Sequence, residues 1–330
     1  MEADLVQRAR VPYTEIPAAG IHGVGWRSLP RNLIQVWRGI GRSRQILDQF
    51  RPQALFFTGG YVAGAMAFAG RRTPSLVYVP DIEPGMALKM IARFADRIAV
   101  TTQDSTVYFN HPQKVIVTGY PTRPDLHTWE RSAARQVFGF SLEEPVLLVT
   151  GGSRGARSLN RAVLDKLDEF LTLTQMIHIT GQLDWQEVEA KTKGLSPSQA
   201  IRYRAYPYLH TEMGAALASA DLVVARAGAS SLGEFPLFGL PAILAPYPYA
   251  WRYQQTNAQY LAQRGAAEIV QDASLRDQLL PLVKELLGDP QRLQGMQKAM
   301  KSLAQPDPAE KIARLLKAMA GSSDPGEAHA

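Results

Sequence analysis

The second half of the chain alternates short apolar runs with longer stretches of helical periodicity, and this rhythm constrains the fold more than any other feature. The apolar runs lie at residues 146–150, 176–180, 201–205, 221–225, 241–246 and 267–270, and helical stretches lie at 156–170, 231–238 and 253–264. Continuous apolar runs between helices are typical of parallel strands buried on both faces. The pattern predicts an α/β fold with a doubly wound parallel sheet, which binds its ligands at the carboxyl ends of the strands.

The first half repeats the rhythm less completely. Strands are predicted at residues 54–58, 76–79, 97–100 and 114–118, after a helix at residues 30–50 that carries an apolar stripe and several arginines. Such a helix either packs its stripe on a sheet while the arginines stay in water, or lies on anionic lipid. We therefore predict two α/β domains, at 1–120 and 145–305, with a linker at 121–144, a C-terminal helix at 306–320 and a disordered polar tail at 321–330.

The net charge of +6 lies entirely in the first part of the chain. Residues 1–120 carry 14 Lys and Arg against 8 Asp and Glu, whereas the remaining residues carry 22 of each. A basic half is typical of a surface that meets an anionic partner, either nucleic acid or an anionic membrane, although a merely soluble face gives the same count. Nucleic acid is disfavoured because no recognised nucleic-acid-binding fold accompanies the basic residues. The lack of cysteine excludes disulfides and favours a cytoplasmic location.

Three glycine-rich turns follow predicted strands. They contain Gly59 and Gly60, then Gly151, Gly152 and Gly155, and finally residues 226–234. Glycine lets the backbone approach a ligand closely, and the next helix offers free N–H groups and the positive end of its dipole. The turns therefore predict a phosphate-bearing ligand, although a glycine after a strand often makes only a tight turn.

Several nucleotide and metal sites are excluded by spacing. The chain has no Gly-x-Gly-x-x-Gly, no Gly-Lys-Ser/Thr and no Asp-x-Asp, and its six histidines show no ligand spacing. These absences favour a transferase without metal or other cofactor, in which helix N-termini and arginine neutralise a leaving diphosphate.

The residue pattern alone leaves several roles open. Ser231 and Glu234 have the spacing of a capping box, but Glu234 is also suited to accept hydrogen bonds from two ribose hydroxyls. Ser153 is either a helix N-cap or a phosphate ligand. Gln254 and Gln255 are either ordinary polar helix residues or ligands of sugar hydroxyls.

Seven segments together resemble the MurG glycosyltransferase family. They are residues 59–61, 92–97, 118–123, 151–160, 225–234, 239–246 and 254–258. The resemblance implies the GT-B architecture, in which two Rossmann-like domains face each other across a cleft. It also implies UDP-N-acetylglucosamine as donor, a lipid-linked muramyl-pentapeptide diphosphate as acceptor, and a position at the cytoplasmic face of the membrane. Residues 1–120 would then form the acceptor and membrane-facing domain, and residues 145–305 would bind the donor.

The resemblance also implies roles for individual residues. Ser153 would contact the donor diphosphate, Arg123 would face it across the linker, and the main chain near Leu209 would hold uracil. Gln254, with Gln255 beside it, would select the N-acetylglucosamine hydroxyls. The segment that would wrap the nucleotide, with Glu234 on the ribose, consists of Ala229, Ser230, Ser231, Leu232, Gly233 and Glu234. We expect Arg226 to offset charge on the leaving diphosphate.

Two departures from the family lie on the acceptor side. The family begins with a strand and the loop Gly-Gly-Thr-Gly-Gly-His, which supplies a candidate general base, whereas this sequence begins Met-Glu-Ala-Asp. The first domain is therefore expected to lack its first βα unit, and Met1 to be an internal methionine. The family motif His-Glu-Gln-Asn-x-x-Pro-Gly corresponds here to residues 78–85, where Asp81 or Glu83 is a candidate base, or else an ordinary loop carboxylate.

These departures leave competing functions. The first is synthesis of the peptidoglycan lipid precursor. The second is the glycosylation of another lipid or glycan by a MurG-like paralogue. A sugar-nucleotide 2-epimerase would share the architecture but act without an acceptor. An inactive module that binds a UDP-sugar is the non-enzymatic alternative.

Overall fold

Two parallel sheets organise the molecule, of which the computed structural model describes residues 6, 10–17, 29–152, 154–249 and 252–321. The first sheet has the strand order β1-β2-β3-β4, and helices α1 to α3 connect or precede its strands. Helix α2 packs between α1 and α3. The elements are α1 (Leu29–Phe50), β1 (Leu55–Phe57), α2 (Tyr61–Ala69), β2 (Ser75–Val79), α3 (Met86–Phe94), β3 (Arg97–Val100) and β4 (Val115–Val117).

The second sheet has six parallel strands in the order β10-β9-β8-β5-β6-β7. The chain reverses direction across this sheet between β5 and β8, and such a switch point opens a crevice at the carboxyl ends of the strands. Its strands are β5 (Val146–Thr150), β6 (Gln175–Ile179), β7 (Tyr203–Tyr206), β8 (Leu222–Ala225), β9 (Ala242–Leu244) and β10 (Ala267–Ile269). The helices are α4 (Arg131–Phe138), α5 (Arg157–Leu164), α6 (Leu167–Leu173), α7 (Trp185–Lys193), α8 (Pro197–Ala200), α9 (Met213–Ser219), α10 (Glu234–Phe238), α11 (Tyr253–Gln263), α12 (Leu275–Gly288), α13 (Pro290–Ser302) and α14 (Pro308–Met319).

The predicted α/β fold with two parallel sheets is confirmed, and differences are confined to element ends and breaks. The helix predicted at residues 156–170 is two helices, α5 and α6, because Lys166 leaves the helical region with φ −125° and ψ 25°. The helix predicted at 231–238 is likewise a 3-10 turn (Ala229–Leu232) followed by α10, with Gly233 between them.

Residues 121–144, predicted as a linker, are anchored to the second domain by a buried arginine. The Arg135 side chain is fully buried, and its guanidinium donates to the carbonyl oxygens of Ser141, Leu142, Glu144 and Ser219. It also donates to Asp221 Oδ2 at 2.6 Å. Because one planar cation satisfies so many acceptors, this segment is held firmly on the second sheet.

Helix α14 follows the second domain in sequence but packs on the first. Ile312 lies against Leu76, Tyr78 and Ala99 of the first sheet. The chain therefore crosses between the domains twice, and its last helix closes the face of the first sheet opposite α2 and α3. Residues 322–330, most of the predicted tail, lie outside the described residues.

Candidate active site

The glycine turn after β5 lies at the switch point of the second sheet. Gly155 has φ +80°, and a Cβ on it would lie 2.2 Å from Thr180 O, so only glycine fits there. Gly152 also has a positive φ, +78°, but a Cβ on it would meet nothing within 4 Å. The turn is therefore tightly packed at Gly155, whereas the backbone at Gly152 has open space beside it. Ser153 lies outside the described residues, and Ala156, not Ser153, is the N-cap of α5.

Glu234 does not close a capping box. It is the first residue of α10, whose N-cap is Gly233, while the Ser231 hydroxyl donates to Gly228 O at 2.6 Å. Burial raises the pKa of Glu234, and the nearby Arg123 and a hydrogen bond from Ser230 oppose that rise. The capping interpretation is therefore wrong, and the Glu234 carboxylate interacts with Ser230 and Arg123 instead.

Two other segments bring predicted donor residues close to Glu234. Arg123 comes from the segment after β4, and its Nη2 donates to His210 O at 3.2 Å, next to the buried Leu209. The Arg123 guanidinium also interacts electrostatically with Glu234. A cation, a carboxylate and the main chain after β7 thus converge, which is a suitable set for a nucleotide.

Gln254 and Gln255 lie in the first turn of α11. Both are half-buried, and Gln254 Oε1 accepts a hydrogen bond from Tyr247 N at 2.8 Å. This bond ties the start of α11 to the loop after β9, so that the Gln254 amide group is held at the carboxyl edge of the sheet.

Arg226, predicted to meet the leaving diphosphate, already has a counter-ion. Its guanidinium pairs with Asp272 at 2.5 Å and donates to Ser158 Oγ at 2.8 Å and Ala245 O at 2.9 Å. It also lies 5.4 Å from the centre of the Tyr247 ring. A diphosphate would have to displace Asp272 to reach this cation, so the geometry favours Arg226 as a residue that holds the loop after β8.

Asp81, from the loop between β2 and α3, faces the donor domain. Its Oδ1 accepts a hydrogen bond from Asn257 Nδ2 at 2.8 Å. Burial raises the pKa of Asp81, and the bond from Asn257 opposes that rise. The second candidate base, Glu83, is instead committed to ion pairs with Arg252 at 3.2 Å and Lys89 at 3.6 Å. Asp81 therefore combines a raised pKa with the absence of an ion pair to any described lysine or arginine, whereas Glu83 has two such pairs.

Tyr120 links the two halves of the site, and sequence reasoning assigned it no role. Its ring packs against Gly233, where an added Cβ would lie 2.6 Å from Tyr120 Cδ1. Burial, helped by the carboxylates of Glu234 and Asp81, raises the pKa of Tyr120 to about 12. The phenol therefore lies between the donor carboxylate and the candidate base and stays protonated near neutral pH.

The glycine turn after β1 lies on the acceptor side. Gly59 and Gly60 have φ of +114° and +86°, and a Cβ on Gly59 would lie 3.5 Å from Leu88 Cδ2 of α3. The N-termini of α2 and α3 therefore lie side by side, and α3 begins directly after the loop that carries Asp81. Two adjacent helix N-termini favour an anionic group at this end of the first domain.

Titratable clusters elsewhere give no further site. Among the described residues, no group of three His, Asp or Glu side chains is arranged to hold a metal ion. His178 is a core residue that bonds Tyr203 Oη and Asn160 Oδ1, and burial lowers its pKa to about 3.

Comparisons with known proteins agree with this geometry. The chain matches the glycosyltransferase family 28 N-terminal domain over residues 1–100 and the C-terminal domain of that family over residues 146–312. The UDP-N-acetylglucosamine–N-acetylmuramyl-(pentapeptide) pyrophosphoryl-undecaprenol N-acetylglucosamine transferase of Roseiflexus sp. (strain RS-1) is 40% identical, over 97% of this chain and 81% of that protein. The enzyme of the same name from Desulforamulus reducens is 36% identical, over 93% and 84%.

Solved structures agree on the architecture. Acinetobacter baumannii MurG superposes with a TM-score of 0.73 at 24% identity, over 96% of this chain and 88% of that one. The UDP-GlcNAc 2-epimerase of Neisseria meningitidis, solved with UDP-GlcNAc, has a TM-score of 0.66 at 12% identity, over 96% and 88%; at that identity the likeness shows the fold alone.

Two parallel-sheet domains that face each other define the GT-B architecture, and the matched family models define the chain as a glycosyltransferase of that class. The chain belongs to glycosyltransferase family 28 and, within it, to the MurG family, as its motifs predict.

Proposed function

We infer that this chain transfers N-acetylglucosamine from UDP-N-acetylglucosamine to a lipid-linked muramyl-pentapeptide diphosphate, the step that completes the peptidoglycan lipid precursor. The observation that carries this function is the convergence of Glu234, Arg123 and the Leu209 loop, which faces Asp81 across the interdomain crevice. Close relatives that carry this activity in their names cover nearly the whole chain.

On the donor side, the Glu234 carboxylate would accept hydrogen bonds from the two ribose hydroxyls. Arg123 would lie beside the diphosphate, and the open backbone at Gly152, with the start of α5, would supply N–H donors to it. Gln254 and Gln255 would bind sugar hydroxyls, since each amide offers both donors and an acceptor.

On the acceptor side, Asp81 would act as general base. Its carboxylate would take the proton of the attacking acceptor hydroxyl as that oxygen bonds to the anomeric carbon. The bond from the anomeric carbon to the diphosphate oxygen breaks, and UDP leaves with its charge offset by Arg123 and the loop N–H groups. The raised pKa of Asp81 suits a base, because the basicity of a carboxylate rises with its pKa.

We further propose that this chemistry runs without metal or other cofactor, because the residues named above supply donors and positive charge at each oxygen that gains charge. Activity that is unchanged by a chelator would support the proposal, and activity restored only by added divalent cation would refute it.

Replacing Glu234 with alanine is expected to weaken UDP binding about 10- to 100-fold, because hydrogen bonds to a charged acceptor contribute about 1.5–3 kcal/mol. Isothermal titration with UDP measures this effect. The matched control is Glu189→Ala, which removes a surface carboxylate paired only with Lys193 in its own helix. Equal UDP affinity in both variants would remove Glu234 from the donor site.

We propose that α1 and its neighbours place the first domain on the inner face of the cell membrane. Trp37 is 67% exposed and Ile34 54% exposed on α1, and Arg38 and Arg42 lie exposed on the same helix. Met90 of α3, in the same domain, is also exposed. Apolar side chains flanked by arginine are typical of an interfacial helix on anionic lipid. Among the described residues, no helix is long and apolar enough to cross a membrane.

The double variant Ile34→Ser, Trp37→Ser is expected to bind anionic vesicles at least about tenfold more weakly, since each exposed apolar side chain loses a transfer free energy of about 1.5–3 kcal/mol. Vesicle co-sedimentation measures the change. Val137→Ser, an exposed apolar position on α4, is the control. Unchanged vesicle binding by the double variant would show that α1 is not the membrane contact.

The function itself is tested by release of UDP from UDP-N-acetylglucosamine with and without the lipid-linked acceptor. Acceptor-dependent release supports the transferase. Acceptor-independent release with a changed sugar configuration would identify an epimerase, and donor binding without release would identify an inactive module. The altered loop at residues 78–85 favours, as second candidate, a paralogue that uses another lipid acceptor.

A further inference from the structure

Side chains along one helix of the donor domain, α11, and at its two ends contact the first domain. Arg252 before its first turn pairs with Glu83 at 3.2 Å, and Arg264 after its last turn pairs with Asp104 at 2.8 Å. Between them, Asn257 bonds the Asp81 loop. The three contacts are spread over about 18 Å of helix, at 1.5 Å per residue. Arg252 is 76% exposed, although its partner Glu83 is buried, and the Arg264–Asp104 pair is partly exposed. Ion pairs that are open to solvent in this way stabilise little, whereas Asn257 is completely buried.

The Asn257 side chain is held by three hydrogen bonds from two domains. Its Nδ2 donates to Asp81 Oδ1 at 2.8 Å and to Ala227 O at 3.1 Å, and its Oδ1 accepts from Ile82 N at 3.1 Å. Two acceptors face the nitrogen and one donor faces the oxygen. Only this orientation of the amide satisfies all three, so the partners fix it.

These bonds also fix the Asp81 carboxylate. Because Asn257 holds Oδ1 and the adjacent Ile82 N–H, rotation of the carboxyl group is restricted. Among the described residues no hydrogen bond reaches Oδ2 of Asp81, which leaves that oxygen to take a proton. Ala227, the third partner, belongs to the glycine turn after β8, and Gln254 lies one helical turn before Asn257.

We propose that Asn257 is a positioning residue that orients the Asp81 carboxylate for proton removal and ties its placement to the donor-binding end of α11. The proposal rests on the proposed function, in which Asp81 is the base. Asn257 itself touches no reacting atom. The competing interpretation is that the bond only fastens the two domains together, as the arginine pairs do.

The pH dependence of kcat separates these interpretations. The titratable groups that face Asp81 are Tyr78, Tyr120 and Tyr253, and burial raises the pKa of each. All three stay neutral near pH 7, so the Asn257 bond is the polar contact that lowers the pKa of Asp81. Losing that bond raises the pKa further. Since the base works ionised, the acidic limb of the kcat profile then moves to higher pH.

The test is the kcat and KM of Asn257→Ala across pH, with Gln259→Ala, an exposed position on the same helix, as control. We expect kcat to fall about 10- to 100-fold, since small misplacements of a reacting group cost up to about 10²-fold. The KM for the donor should stay within about threefold, and the acidic limb should move to higher pH. If the pH profile of kcat for Asn257→Ala had the same acidic limb and the same plateau as that of the unsubstituted enzyme, the proposal would be overturned.

Two further variants cover a failure of Asn257→Ala to fold. Asn257→Asp keeps the shape and sets a second carboxyl against Asp81, which should move the acidic limb to higher pH still. The exchange variant Asp81→Asn, Asn257→Asp restores a hydrogen bond across the interface but removes the carboxylate from the acceptor loop. Recovery of kcat by the exchange variant would show that the bond serves only to fasten the domains. If the unsubstituted enzyme transfers no sugar, the proposed function fails instead.

Discussion

Asp81→Asn is expected to lower kcat by about 10²- to 10⁴-fold, the usual contribution of a general base. Asparagine has nearly the same shape, so Asn257 and the loop should stay in place, while the group that accepts the proton is lost. The KM for UDP-N-acetylglucosamine should change little because the donor residues lie on the other domain. Steady-state UDP release at saturating acceptor measures both constants.

The pH profile gives the sign of this effect. Burial raises the pKa of Asp81 above its ordinary value, so the ionised, active form is gained only as pH rises through that higher value. The unsubstituted enzyme should therefore show an acidic limb in kcat, and Asp81→Asn should lack it. By the same linkage, the stability that Asp81 contributes is fully present below its unfolded pKa and is lost as pH rises through the folded pKa.

The matched control for Asp81 is Asp104→Asn. Asp104 also belongs to the first domain and also contacts α11, through Arg264, but it lies in no part of the proposed reaction. We expect its kcat to stay within about threefold, because a partly exposed ion pair contributes little to stability. A fall in kcat as large as that of Asp81→Asn would mean that any interdomain contact, and not the base, sets the rate.

Arg135→Met is expected to destabilise the donor domain by about 3–5 kcal/mol, the usual effect of removing one partner of a buried ion pair. Methionine nearly fills the space but removes the buried cation beside Asp221 and the Arg135 donors to the carbonyl oxygens of residues 141, 142, 144 and 219. Urea unfolding followed by circular dichroism measures the free energy of unfolding.

The control for Arg135 is Arg131→Met, which removes the other cation bound to Asp221. That side chain is 48% exposed and Arg135 remains beside the carboxylate, so a loss of at most about 1 kcal/mol is expected. Equal losses of unfolding free energy in the two variants would show that the burial of Arg135 adds nothing to its contribution to stability. A loss below about 1 kcal/mol for Arg135→Met would contradict its role in anchoring residues 121–144.

The sequence predicts the two sheets well because their signal is local. Apolar runs mark strands whether or not their partners are known, and β5 coincides with the predicted run. The path of the chain between the domains, in contrast, has no local signal in the sequence. Nothing in the periodicity of residues 308–319 says that α14 packs on Leu76 and Ala99 of the first sheet, since an amphipathic helix fits either domain.

The proposed donor residues can be found from the sequence because they occur in family motifs, whereas the contacts between motifs cannot. Tyr120 and Asn257 lie inside the matching segments, yet their roles depend on Glu234 and Asp81, which are far from them in sequence. The contacts of Arg226 likewise depend on a residue far from it in sequence. A cation after a strand suggests an anionic ligand, but Arg226 forms an ion pair with Asp272, which lies in a part of the chain that the motif does not include.

A competition between two acceptors tests whether the enzyme glycosylates the muramyl lipid. The enzyme is given UDP-N-acetylglucosamine with equal amounts of lipid-linked muramyl-pentapeptide diphosphate and diacylglycerol, and the lipid products are measured by mass spectrometry. We expect the muramyl lipid to gain one N-acetylhexosamine, with equimolar release of UDP, and diacylglycerol to remain unchanged. Sugar found on diacylglycerol alone would contradict the assignment and identify a paralogue with the same donor site.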